Sequence, residues 1–247
     1  MTSIDDIVIN LNDGNLFVLN IILSFLMFGV ALDIRIDDFK QLFQSPKIPL
    51  VGLLSEYLFL PLLALGLIYL IQPHPSIALG MLLVSVCPGG SVSNYMVHRS
   101  KGNSALSVLL TSFTTTAAIV ITPIAFGFWA GIHPETSALL KTLDIDPQKI
   151  IKTVIFLILI PVSIGMFINH QYPKFTEQIK KPVSSLSMLV FLAFVCFALV
   201  KNYTQMQDYL HIVFFIVLIH NGLALLGGYQ IARGFRLSKK DARAISI

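Results

Sequence analysis

Pro88-Gly89-Gly90, followed by Ser91, Ser93 and Asn94, lies inside an apolar stretch running from Ile77 to about Val97. At ~1.5 Å rise per residue, that stretch is long enough to cross a bilayer as a helix. Proline removes a backbone donor and clashes with the preceding turn, and two glycines add backbone freedom. The helix should therefore break at Pro88, Gly89 and Gly90. Broken backbone at membrane depth survives only where it is buried in protein or lines a wet cavity. The hydroxyl and amide oxygens just past the break suit a hard cation. The helix that restarts there offers free N–H groups and a positive dipole end, which suit an anion. The plainer reading is a proline kink that only shapes packing. Glu56 is a second candidate, flanked by Leu53-Leu54 and Tyr57-Leu58-Phe59-Leu60. An ionisable group inside an apolar span is functional by default; its plainer reading is a carboxylate at the membrane edge.

The elements that must hold these groups are transmembrane helices. Of 247 residues, 55% are hydrophobic and 12% charged, whereas a soluble domain carries roughly 25% charged residues. The fold class expected is an all-α integral membrane protein. Seven apolar spans are expected at about 15–33, 48–71, 76–98, 103–130, 149–169, 183–201 and 208–233. Gly131 to Gln148 reads as the longest loop. Cys87 and Cys196 both fall in apolar runs and read as packing thiols in helices rather than a disulfide.

Basic residues divide unevenly between alternate connections. One side receives Arg35, Lys40, Lys47, Arg99, Lys101, Lys174, Lys180, Lys181, Arg233, Arg236, Lys239, Lys240 and Arg243. The other receives Lys141, Lys149, Lys152 and Lys201. This asymmetry places the first side in the cytoplasm and the N-terminus outside. The net charge of +4 is thus topogenic, and nucleic acid is not an expected partner; membrane lipid is. Met1 to Gly14 is acidic and polar, unlike a cleavable signal.

A faint internal repeat pairs Phe28-Gly29 before Asp37-Asp38-Phe39 with Phe197-Ala198 before Asp208-Tyr209-Leu210, and Glu56 with His220-Asn221. The two copies would have opposite topology. Inverted repeats with broken helices are the architecture of secondary transporters. Residues 1–247 are read as one transmembrane domain, with a first half at about 15–130 and an inverted, incomplete second half at about 149–247. The partner of the broken third span should begin near Lys239, and the sequence stops at Ile247, about where its break would approach.

Cys87-Pro88-Gly89-Gly90-Ser91-Val92-Ser93-Asn94, with Gly102-Asn103-Ser104-Ala105-Leu106-Ser107 and Thr111, resembles the bile acid:sodium symporter family in its bacterial-type members. Phe28-Gly29, Glu56 five residues before Pro61, and His220-Asn221-Gly222 continue the match in order and spacing. The resemblance implies a panel and a core of helices, two discontinuous helices crossing at mid-membrane, and alternating access in the bacterial inner membrane. Span one corresponds to the family's second helix. The implied activity is symport of organic anions, such as bile-acid-like or small carboxylate compounds, with Na+ as coupling ion and no other cofactor.

By this resemblance Ser93, Asn94, Ser107 and Thr111 form the first sodium site. Ser107 and Thr111 are i and i+4 on one helix face, although membrane helices also use such hydroxyls simply to bond one another. Glu56 matches a position usually occupied by glutamine in the second sodium site. It is a charged cation ligand or a protonatable group that would make the protein proton-coupled or an exporter. Gly90, Ser91, Asn94 and Asn221 are the substrate candidates, although Asn221 reads more readily as a buried amide bonding across helices. His98 and His220 read as structural, Trp129 and Tyr95 as packing or interface aromatics. Thr114-Thr115-Thr116 either bonds back to its own helix or lines the cavity. Two other classes remain: a membrane receptor that binds without flux, and an intramembrane enzyme built on Ser91 and His98, for which no elbow motif or orienting acid is present.

Overall fold

The computed structural model describes residues 13–32, 34, 46–142, 155–201 and 203–247, and every regular element among them is a helix. In order they are α1 (Asp13–Ala31), α2 (Lys47–Ile71), α3 (Pro75–Val86), α4 (Ser91–Arg99) and α5 (Ser104–Ile132). There follow α6 (Pro134–Thr142), α7 (Ile155–Leu159 continuing as Ile160–Gln171), α8 (Pro173–Lys201), α9 (Tyr203–Gly234) and α10 (Lys239–Ser246). Among the described residues, four stretches are long and apolar enough to cross a membrane: Lys47–Ile71, Ser104–Ile132, Pro173–Val200 and Leu210–Gly234. Phe17–Ala31, Pro75–Val86 and Phe156–Gln171 are shorter apolar helices. Only 6% of the apolar window in Pro173–Val200 and 11% of that in Leu210–Gly234 is buried by protein. Apolar surface so extensively bare needs lipid as its solvent. The chain is an integral membrane protein.

The chain packs as two compact units, Met1–Ile36 with Ile145–Leu210, and Asp37–Asp144 with His211–Ile247. In the first, α1 packs on α7 and α8 through small residues. A Cβ on Gly165 would come within 2.6 Å of Ala31 Cβ and 3.0 Å of the Phe28 carbonyl, so only glycine lets α7 approach α1 this closely. On the other side of α1, Gly29 faces Ser187, whose hydroxyl bonds the carbonyls of Val183 at 2.8 Å and Phe25 at 3.3 Å. The Phe28-Gly29 pair thus lies at a helix crossing; Asp37, Asp38 and Phe39 lie outside the described residues, as does the side chain of Asp208.

In the second unit, α2, α3 and α5 enclose a core of Ala64, Leu65, Ile68, Leu82, Val86 and Trp129, with Ile216 of α9 against it. Within α2, Ser55–Phe59 forms a π-helical turn. Its cause is local: Pro61 has no N–H for the Tyr57 carbonyl, and one extra residue in the turn relieves the ring clash. The π turn Ile155–Leu159 in α7 precedes Pro161 in the same way. Next to the turn in α2, α9 lies flush. A Cβ on Gly227 would overlap the Phe59 ring, and one on Gly228 would come within 3.1 Å of Ser246 Cα and 3.5 Å of Ser55 Oγ.

The third apolar stretch breaks as expected, with α3 ending at Val86 and α4 starting at Ser91. Gly90 is extended at φ −109° and ψ −179°, a conformation open to any residue, so the break owes more to Pro88 than to glycine freedom. Gly89 sits close to the oxygen donors: a Cβ there would lie 3.2 Å from Ser93 Oγ, which would have to give way slightly, and 3.8 Å from Thr111 Oγ1. The loop expected at 131–148 is partly helical. Pro134 at the first position, Glu135 in the first turn and Lys141 in the last favour α6. Helix α8 starts at Pro173, ahead of the expected 183, and α9 at Tyr203. The beginning of the span expected at 149–169 lies outside the described residues.

Candidate ion and substrate site

Asn103 opens α5, its side-chain oxygen accepting the Leu106 N–H at 3.1 Å. That cap fixes where the next turns of α5 present Ser107 and Thr111, both buried. Across from them, α4 presents Asn94. Its Oδ1 accepts the Ser107 hydroxyl at 2.6 Å and the Thr111 hydroxyl at 3.1 Å. Both hydroxyl protons are therefore committed to one amide oxygen, leaving the lone pairs of Oγ and Oγ1 free. Ser93 likewise commits its proton to the Gly90 carbonyl at 2.7 Å. Three hydroxyl oxygens with free lone pairs, gathered around Asn94 beside a helix break, make a donor set that suits a hard cation. All four residues expected at the first cation site are thus brought together.

The break leaves carbonyls of α3 without helical partners, and neighbours supply some. Thr122 of α5 donates to the Val86 carbonyl at 3.1 Å, and the Cys87 N–H to that of Val84 at 3.3 Å. Gly90, the residue before α4, has no side chain with which to cap its start. The Ser91 side chain lies outside the described residues.

A cavity of about 460 Å³ adjoins these groups. Gly89, Ser93, Ser107 and Thr111 form one wall, and Glu56, Thr114, Asn221 and residues 244–247 contribute to the rest. Gly90 stands next to this lining rather than in it. Glu56 comes from the π turn of α2, which swings it out of regular helical register. Its Oε1 is buried without a hydrogen bond of good geometry, and the neighbouring Thr114 hydroxyl is only a weak partner for the carboxylate. A buried, unpaired carboxylate oxygen is costly in hydrocarbon; a cation or a proton bound there removes the cost. Among the described residues that line the cavity, none is lysine or arginine. An anionic ligand would therefore meet hydroxyls and the Asn221 amide, with the Glu56 carboxylate against it until a cation or proton neutralises that charge.

Three expectations change. Asn221 is exposed and lines the cavity, instead of bonding across helices from a buried position. Cys87 is an exposed thiol in the break, on the cavity wall, and Cys196 is exposed on α8; neither is a buried packing group. The threonine run divides its roles: Thr116 bonds back to the Ser112 carbonyl at 2.9 Å, while Thr114 lines the cavity. His220 is buried, His98 is exposed near the end of α4, Tyr95 is exposed and Trp129 is in the core. Helix α10 was not anticipated as a cavity wall, although its first residue is Lys239.

Residues 20–208 match the model of the Sodium Bile acid symporter family. The chain belongs to that family. It is similar to the uncharacterized sodium-dependent transporter YocS of Bacillus subtilis, at 30% identity over 232 residues, covering 93% of this chain and 68% of the relative. It is also similar to the probable sodium/metabolite cotransporter BASS2, chloroplastic, of Oryza sativa, at 29% identity over 91% of this chain and 52% of the relative. For the corresponding BASS1 of Arabidopsis thaliana the identity is 28%, over 91% of this chain and 54% of the relative. The chain thus spans about half the length of the plant relatives and two thirds of the bacterial one. The family is one of transporters, which sets the intramembrane enzyme aside.

Proposed function

We propose that this protein is a sodium-coupled secondary transporter of organic anions. The observation that carries the reading is the convergence of Ser107 and Thr111 on Asn94 Oδ1 beside the broken helix. Sodium bound by Ser93, Asn94, Ser107 and Thr111 fixes the restarting helix α4 against α5. Its charge then sits where an anion entering the cavity can use it. Glu56 supplies a carboxylate for a second cation, sodium in the simplest case. Gly90, Ser91, Asn94 and Asn221 would meet the anion, a bile-acid-like or small carboxylate compound, with neutral donors.

The expected inverted halves, about 15–130 and 149–247, find support in α10 starting at Lys239, where the repeat places the partner of the broken third span. Support for panel and core comes from the two compact units, each of which takes residues from both halves. Alternating access follows if sodium and anion together favour one arrangement of these bodies. The differential affinity required is ~1–3 kcal/mol. The bacterial inner membrane, with the basic connections in the cytoplasm, is the setting proposed.

The test is uptake into proteoliposomes of taurocholate and of small monocarboxylates under an inward sodium gradient. Uptake driven by sodium and not by potassium is expected. Uptake driven by a proton gradient alone, and lost in Glu56→Gln, would replace sodium by protons. Sodium-dependent binding without flux would make the protein a receptor.

A further inference from the structure

Helix α10 is tied to both helices that carry the proposed sodium ligands. Asp241 accepts the Asn103 side-chain N–H at 2.7 Å through Oδ1 and the Ser238 hydroxyl at 2.7 Å through Oδ2, so both of its oxygens are engaged. The Ser238 hydroxyl oxygen in turn accepts the Asp241 N–H at 3.1 Å and caps α10. The Asn103 N–H goes to the Lys240 carbonyl at 3.0 Å. On the other side of the turn, Arg243 donates to the Ser100 carbonyl at 2.9 Å, and Ser100 ends α4. Gly102 allows the contact, since a Cβ there would lie 2.9 Å from Val97 Cγ1 and 3.2 Å from Arg243 Cβ.

Asn103, Ser107 and Thr111 are spaced i, i+4 and i+8, so the residue that α10 grips lies on the same stripe of α5 as the two hydroxyls that meet Asn94. Arg243 grips the end of α4, the helix that carries Asn94. The register of α4 against α5 decides whether the two hydroxyls reach one amide oxygen, and α10 is a staple across the turn that sets it. We propose that Asp241 is a positioning residue for the sodium site: through Asn103 it holds Ser107 and Thr111 in register with Asn94, and so tunes sodium affinity without touching the ion. The proposal rests on the sodium reading above.

The experiment measures the melting temperature of the detergent-solubilised chain as sodium replaces potassium at constant ionic strength, and reads the sodium midpoint of the rise. Asp241→Ala should move that midpoint upward by about three- to tenfold, within the lower part of the coupling that one hydrogen-bond network shows. The exchange variant Asn103→Asp with Asp241→Asn should bring it back. There the new carboxylate still caps α5, and the new amide donates to it while accepting from Ser238. A residue that only stabilised the fold would lower melting in potassium and leave the midpoint where it was. A normal midpoint in Asp241→Ala, or an exchange variant no better than Asp241→Ala, overturns the staple while leaving the sodium reading intact. A wild-type chain with no sodium response overturns both.

Discussion

Asn94 is the residue on which the account turns, because its one oxygen gathers two hydroxyl protons that would otherwise point toward a cation. Thr111→Val keeps the shape and removes the oxygen. A net hydrogen bond is worth about 0.5–1.5 kcal/mol, so the variant should melt only slightly lower in potassium. The same loss of a ligand should weaken sodium by at least about tenfold; sodium titration of the melting temperature checks both. An unaltered sodium midpoint in Thr111→Val would remove Thr111 from the site. Much of this constellation was legible in the sequence, since Pro88 announces a break and oxygen donors follow it directly. The environment of Asn221 was not legible. A helix pattern shows which residues share a face, but not whether a neighbouring helix covers that face or leaves it open to a cavity.

Close approaches of glycine to a neighbouring element set how α9 meets the π turn of α2 and how α7 meets α1. Gly165→Ala should destabilise the protein by about 1–3 kcal/mol, because the new methyl meets the α1 backbone as well as Ala31 and neither can move aside cheaply. For Gly227→Ala the nearest atoms all belong to the Phe59 ring. Its loss should therefore be largely recovered by adding Phe59→Leu, which makes room. Melting temperatures of the two single variants and the double variant decide this; no recovery would mean that the contact is not what limits packing. That the apolar stretches are helical was readable from their length, yet the π turn was not, because one inserted residue hardly disturbs so apolar a pattern. Helix α6 was missed because its mixed charge resembled a loop, although His133-Pro134-Glu135 carries a helix-start signature. The grip of α10 on Asn103 and Ser100 joins residues more than a hundred positions apart; no local pattern encodes it.

For the molecule as a whole, transport requires that sodium change what the cavity exposes. Cys87 offers a natural reporter, being an exposed thiol in the break beside the proposed site. In a Cys196→Ser background, sodium should slow alkylation of Cys87 by a water-soluble maleimide, and potassium should not. Equal rates in the two salts would mean that the break is not part of a sodium-linked motion. The family was legible because the Pro88–Asn94 block with Ser107 and Thr111 resembles its members in order and spacing; the physical reading of those residues alone reached only a broken helix beside oxygen donors.

The most direct measurement is the melting temperature of the purified chain in sodium against potassium, with Asn94→Ala and Thr111→Ala beside it. Ligand that binds only the folded state stabilises it by about 2.7 kcal/mol at a hundred times Kd. A sodium-selective rise in the wild-type chain that is absent from both variants is the predicted result. A rise that both variants keep, or no rise in the wild-type chain, would contradict the sodium site at Asn94.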